Sequence, residues 1–372
     1  MIGVSFGMAR YGFGLLAPEI RESFALSSGA LGLLGAGSYV AYLIASVAAG
    51  GLAERLGARL VVGLGGAFAI TGMLIAGLAA TPVVLFAGLL VAGASPGLVF
   101  PPLSDVVARN LAPSQRARIL SAISSGTGWG VALAAPLAVF AGAQWRLAWL
   151  SFAVLGLLAA CWALAVLPRR GRGSLDSGVE PVRLHLRWFL CPRSRPLLLS
   201  ALAIGLASSV LWTFGVDRVI SAGGLSTAAG SGFLALVGIA SIGGSMGGDA
   251  AKLLGGGTVL AISLVAEATS LVALGLWPGS LVLALSAGVL FGLSYNAAVA
   301  ISVIWSADVF HDRPSAGLAA VMVMQAVGLL LGPPLWGVLA DQFGFLLVFC
   351  AAAVVLPVAA VSWRAPQVLG ES

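Results

Sequence analysis

Charge is what this sequence has least of. Only 9% of its 372 residues are Asp, Glu, Lys or Arg, while 60% are hydrophobic. With a mean hydropathy of +1.07, that scarcity excludes an ordinary soluble domain. Histidine occurs only as His185 and His311, and cysteine only as Cys161, Cys191 and Cys350. An odd cysteine count, spread over two apolar stretches and a central linker, gives neither a disulfide framework nor metal-ligand spacing. Two histidines in a linker and a loop supply no nucleophile–base pair, so the chain does not read as an enzyme. No metal and no cofactor are expected. Lysine appears once, at Lys252, against eighteen arginines; with abundant Ala and Gly this points to a GC-rich bacterial genome.

What the chain does have is length in apolar runs. About twelve stretches approach the twenty residues that cross a bilayer as a helix. They fall at 1–20, 29–50, 60–79, 83–105, 117–141, 147–167, 196–217, 227–248, 256–276, 279–305, 315–339 and 344–363. With the N-terminus inside, fifteen of the nineteen basic residues lie on the inner side, from Arg55 to Arg364. Arg21, Arg146 and Arg218 fall outside, and Arg10 is stranded within the first span. Cationic flanks stay cytoplasmic, so both ends are expected in the cytoplasm of a bacterial inner membrane. The net charge of +6 then reflects this bias and anionic lipids, and no nucleic-acid partner is expected. The first span starts at Met1 without a basic n-region or a cleavage site and does not read as a signal peptide.

The organisation is two halves and a linker: a six-helix bundle over 1–168, a cytoplasmic linker over 169–195, a second bundle over 196–364 and a tail over 365–372. In the linker, Leu184-His185-Leu186-Arg187-Trp188-Phe189 reads as an interfacial amphipathic helix. The halves echo each other. Leu26-Ser27-Ser28 matches Leu225-Ser226-Thr227, and Gly93-Ala94-Ser95 matches Gly292-Leu293-Ser294. Repeats of this kind are expected of secondary transporters, whose site lies near the midplane.

Between spans two and three stands Gly50-Gly51-Leu52-Ala53-Glu54-Arg55-Leu56-Gly57-Ala58-Arg59. It resembles the loop signature of the major facilitator superfamily, with Glu54 where most members carry Asp. Gly50 and Gly51 would permit close helix approach, Gly57 a tight turn, and the charges a cytoplasmic gate. The mirrored loop, Gly247-Gly248-Asp249-Ala250-Ala251-Lys252, is degenerate. Arg10-Tyr11-Gly12-Phe13 through Pro18, with Ser38-Tyr39-Val40-Ala41-Tyr42-Leu43, is similar to the YbfB-like branch of that superfamily. The resemblance implies an all-α membrane protein of twelve transmembrane helices in two pseudo-symmetric six-helix bundles. It also implies rocker-switch alternating access, a monomer, and a short segment upstream of Met1. The antiporter pattern of drug exporters needs Gly-Pro-x-x-Gly-Gly on span five; Ala135-Pro136-Leu137-Ala138 departs from it.

Arg10 lies near mid-membrane, where a guanidinium keeps its proton and costs about 2.5–3.5 kcal/mol to insert. Two readings stay open: a fork for an anionic substrate, or a structural arginine bonded to backbone. Tyr39, Tyr42, Trp129, Trp212, Asn296 and Gln325 are candidate substrate contacts, by the family's cavity-lining spans. Gly50, Glu54, Arg55, Gly57, Arg59, Asp105 and Asp308 are candidate gating residues. Glu267 is the one acid deep in a span, with Ser263 and Ser270 on its helical face, and is the candidate proton-coupling group. Asp217-Arg218 reads as an outer-surface pair, and Pro96, Pro101 and Pro102 as a bend in span four. The reading is a carrier of a small organic anion, with membrane lipids and a coupling proton as further partners; the alternative is a proton-coupled exporter of amphipathic drugs.

Overall fold

A computed structural model of the chain describes residues 1–110, 112–167, 194–244, 246–310 and 314–368. Most of the expected linker and the end of the expected tail lie outside them, as do His185, Cys191 and His311. Every regular element among the described residues is helical.

Ten of the helices are long and apolar enough to cross a membrane. The first span adds another in three pieces: a π-helical turn Gly3–Met8, α1 (Gly12–Leu15) and α2 (Ala17–Phe24). Then follow α3 (Ser28–Leu56), α4 (Ala58–Gly77), α5 (Pro82–Asn110), α6 (Pro113–Ala141) and α7 (Trp145–Val166). The second half holds α8 (Arg195–Asp217), α9 (Thr227–Gly244), the short α10 (Gly247–Leu254), α11 (Gly256–Leu276), α12 (Leu281–Val309) and α13 (Pro314–Val368). Gly344, at φ 78°, divides α13 into two helices. Twelve spans result, and the fold is an all-α membrane fold.

Three details differ from the sequence reading. Span one is broken, because Pro18 has no N–H and crowds the carbonyl one turn back, ending α1 before Leu16. Span four does not break at its prolines: α5 runs from Pro82 to Asn110 through Pro96, Pro101 and Pro102. Spans eleven and twelve are joined by a glycine kink without an intervening loop.

The chain clusters into two compact units, one of residues 1–25 and 37–181, the other of residues 26–36 and 182–372. In the first unit helices meet through glycine. A Cβ on Gly7 would sit 2.6 Å from the Cα of Gly130, so the first span and α6 touch backbone to backbone. A Cβ on Gly93 would strike the main chain of Ser38. In the second unit Gly292 meets Val237 in the same way, and one displacement along the chain relates both pairs. With lipid as solvent, such backbone approach and its dispersion contacts replace the hydrophobic effect between helices. Ser5 and Ser95 join the first span to α5 through a buried hydroxyl pair at 2.9 Å.

Two of the expected outer arginines serve as helix caps. Arg146 donates from Nε to the Ala79 carbonyl beyond the end of α4, at 3.0 Å. Arg218 donates to Leu274 and Gly275 at the end of α11. A cation at a helix C-terminus meets the negative end of the dipole and the unsatisfied carbonyls. Asp217 is buried, with its Oδ1 accepting from Ser221 at 2.7 Å, so it is not the surface residue expected.

Candidate substrate site: an arginine among aromatic rings

Arg10 occupies the turn between the π-helical segment and α1. The amides of Ala9 and Tyr11 bond five residues back, to Val4 and Phe6 at 2.8 and 3.1 Å. Such widened turns recur at functional positions because they re-aim a side chain. The guanidinium lies 4.3 Å from the ring centre of Tyr39 and 4.4 Å from that of Tyr42, both on α3. Tyr11 and Phe6 complete the cage at 5.5 and 5.7 Å. Arg10 also hydrogen-bonds the Tyr39 side chain. Among the described residues Arg10 is the one basic side chain that is buried, at 6% exposure.

Magnitudes decide what the cage does. A desolvated cation–π contact is worth about 2 kcal/mol, so two close faces offset an insertion cost of about 2.5–3.5 kcal/mol. Arg10 can therefore reside in the membrane without an anion beside it, as the structural reading allowed, although ring faces as its support were not foreseen. The rings nevertheless hold the cation by its faces without cancelling its charge.

In the second unit four expected or neighbouring residues cluster. Trp212 of α8 meets Phe291 and Tyr295 of α12 edge-on, at 5.7 and 5.8 Å between ring centres. Phe291 and Tyr295 stack at 5.6 Å, and Gln325 of α13 donates from Nε2 to the Tyr295 hydroxyl at 3.2 Å. Asn296 does not join them: its Nδ2 donates to the Ser241 carbonyl at 2.6 Å, tying α9 to α12. Trp129 is 56% exposed on α6, outside the cage.

Glu267 is fully buried in α11, and neither carboxyl oxygen has a hydrogen-bond partner among the described residues. Ser263 and Ser270 are buried on the same helix, but Ser270 donates to the Glu267 main-chain carbonyl, not to the carboxyl.

At the loop after α3, Gly57 has φ 86° and sets the turn into α4, as expected. Gly50 and Gly51 do not mediate close approach, since a Cβ on either meets nothing within 4 Å. Glu54 and Arg55 are exposed at the end of α3, and Arg59 is half-buried in the first turn of α4. Asp105 and Asp308 are exposed on α5 and α12. The mirrored loop keeps the same backbone device at Gly255, φ 82°, ahead of α11. Its Asp249 and Lys252 pair at 2.6 Å on the surface.

Residues 1–255 match the family profile described as Major Facilitator Superfamily. The chain belongs to the major facilitator superfamily. It is thus a multi-pass membrane transporter by family, and superfamily relatives share its architecture across the whole chain. A bacterial homologue of the human lysosomal transporter Spinster, inward-facing and occupied, aligns at a TM-score of 0.80 and 18% identity, over 98% of this chain and 94% of that one. The nucleoside transporter NupG aligns at 0.79 and 14%, over 98% and 96%. The xylose transporter XylE from E. coli aligns at 0.78 and 14%, over 98% and 95%. In sequence, a Pseudomonas aeruginosa protein named transcription regulatory protein OpdE is 27% identical over 355 residues, covering 93% of this chain and 85% of its own length.

Sequence reasoning missed Phe6, Tyr11 and Phe291 as partners, whereas Tyr295 stood among the candidates beside Asn296. Phe6 was within reach, since it precedes Arg10 by one helical turn. Phe291 and Tyr295 stand one turn apart in the same way.

Proposed function

We propose that this superfamily member carries a small organic anion, a carboxylate above all, across a bacterial inner membrane by rocker-switch alternating access. The observation that carries the reading is the buried Arg10, held at mid-span by the faces of Tyr39 and Tyr42. Stacking uses the π-faces of a guanidinium, while its N–H donors lie in the plane, where a carboxylate is gripped two-pronged. The aromatic cluster around Trp212 is a second candidate contact, suited to an apolar solute body. The Glu54–Arg59 loop, with Asp105 and Asp308, is the gate on the cytoplasmic side, and Glu267 is the proton carrier. Both chain ends are cytoplasmic and the working unit is a monomer.

Uptake into liposomes tests this. Arg10→Lys should weaken accumulation of a carboxylate substrate and Arg10→Ala should abolish it. Normal transport by Arg10→Ala would remove Arg10 from the site. The alternative, proton-coupled export of amphipathic compounds, draws on the Trp212–Phe291–Tyr295 platform; it predicts transport of lipophilic cations that is indifferent to Arg10. The regulatory name of the Pseudomonas relative is compatible with carriage, since a transporter that moves an inducing solute would alter transcription indirectly. A protein that moves no solute in liposomes would favour sensing.

A further inference from the structure

The N-terminal turn of α3 is capped by a residue 313 positions away. Asp341, beside the kink of α13, accepts the Ser28 N–H on Oδ1 and the Gly29 N–H on Oδ2, each at 2.8 Å. The hydroxyls of Ser27 and Ser28 also bond this carboxylate. The next amide, Ala30, donates to Ser27 Oγ at 3.2 Å. These are the N–H groups that a helix start leaves without intrahelical acceptors, and all three are satisfied. Beneath them the packing is backbone on backbone. A Cβ on Gly337 would strike the Ser28 carbonyl, and one on Gly32 the Pro333 carbonyl.

The cap is also one-sided. Ser226 takes the Ala229 amide at 3.3 Å at the start of α9, as Ser27 does at the start of α3. Yet the displacement that relates Ser27 to Ser226 pairs Asp341 with Gly142, which has no side chain. The carboxylate is therefore an addition to the repeated architecture.

We infer that Asp341 is a gating residue of the transport cycle, a latch that clamps α3 to α13 at the end remote from the Glu54–Arg59 loop. The inference rests on the alternating-access reading above. Three features of α3 support it. One continuous helix carries the latched residues Ser28 and Gly29, the cage residues Tyr39 and Tyr42, and Glu54 with Arg55 at its far end. The latch, the cage residues and the loop are thus joined by one unbroken helix. Asp341 is exposed, so water can replace it on the helix amides and the clamp is reversible. A carboxylate at a helix N-terminus shifts such an equilibrium by on the order of tenfold.

The test uses spin labels on the exposed positions Leu33→Cys of α3 and Gln342→Cys of α13, in a chain whose three cysteines are serine, in lipid nanodiscs. Distance distributions by double electron–electron resonance should show a short and a long population. Asp341→Asn replaces one acceptor oxygen by a donor that opposes a helix amide, and should raise the long-to-short ratio about tenfold. Gly337→Ala, which leaves Asp341 intact, should shift it the same way and serves if Asp341→Asn does not fold. An unchanged ratio in the folded variants overturns the latch. A single unvarying distance in wild type that transports actively overturns alternating access instead, so the two failures are told apart.

Discussion

Tyr42 presents its ring to the Arg10 guanidinium at 4.4 Å while meeting Phe6 edge-on at 6.1 Å. The cage thus joins α3 to the first span through a charge, and the coupling should be measurable. In a double-mutant cycle of Arg10→Leu and Tyr42→Leu, we expect an interaction of about 1–2 kcal/mol, read from unfolding in detergent. Tyr42→Phe keeps the ring face and should remain near wild type. Additivity within about 0.3 kcal/mol would show that the ring and the charge do not interact.

Glycines that look alike in sequence should behave oppositely. Gly7→Ala places a methyl 2.6 Å from Gly130 and should destabilise by about 1–3 kcal/mol through overpacking. Gly57→Ala, at φ 86°, should cost about 1 kcal/mol in backbone strain. Gly50→Ala, with open space around it and a helical backbone, should be neutral or stabilise by up to about 1 kcal/mol. Thermal unfolding of the three variants side by side checks the order; a Gly50→Ala loss as large as that of Gly7→Ala would contradict it.

The two amides expected near the substrate should also separate. Asn296→Ala removes the bond to the Ser241 carbonyl and should lower stability by about 1–2 kcal/mol, with substrate affinity unchanged. Gln325→Ala frees the Tyr295 hydroxyl within the aromatic cluster and should weaken substrate binding severalfold. Binding isotherms on both variants decide this, and equal loss of affinity would put Asn296 back in the site.

Helix positions were legible because a bilayer imposes one length and one polarity on every span; α11 begins and ends where the hydropathy does. Arg10 was named as a charge in an apolar run, and Tyr39 and Tyr42 from the family's cavity-lining spans; that their rings face its guanidinium was not foreseen. The break in span one was not, since Pro18 alone does not tell whether a helix bends or stops. Gly57 makes the turn its place in the loop suggested, while Gly50 lacks the close neighbour expected of it, because that neighbour depends on tertiary packing. The Asp341 cap could not be foreseen, because its partners lie at the other end of the sequence. Asn296 and Glu267 looked equally polar in an apolar run, yet only the amide found an acceptor.

That difference makes Glu267 the sharper experiment. Among the described residues both its carboxyl oxygens are buried without a partner. Leaving a polar group so placed costs several kcal/mol, which makes an acid inside a span a functional candidate worth testing. Glu267→Gln preserves shape and removes the exchangeable acid proton. We expect the variant to fold, to exchange labelled substrate across liposomes at near the wild-type rate, and to lose accumulation driven by a proton gradient. Both assays use one preparation, so a folding defect would show as loss of exchange. If gradient-driven accumulation survives at wild-type level, Glu267 carries no coupling proton and its burial has to be explained by packing alone.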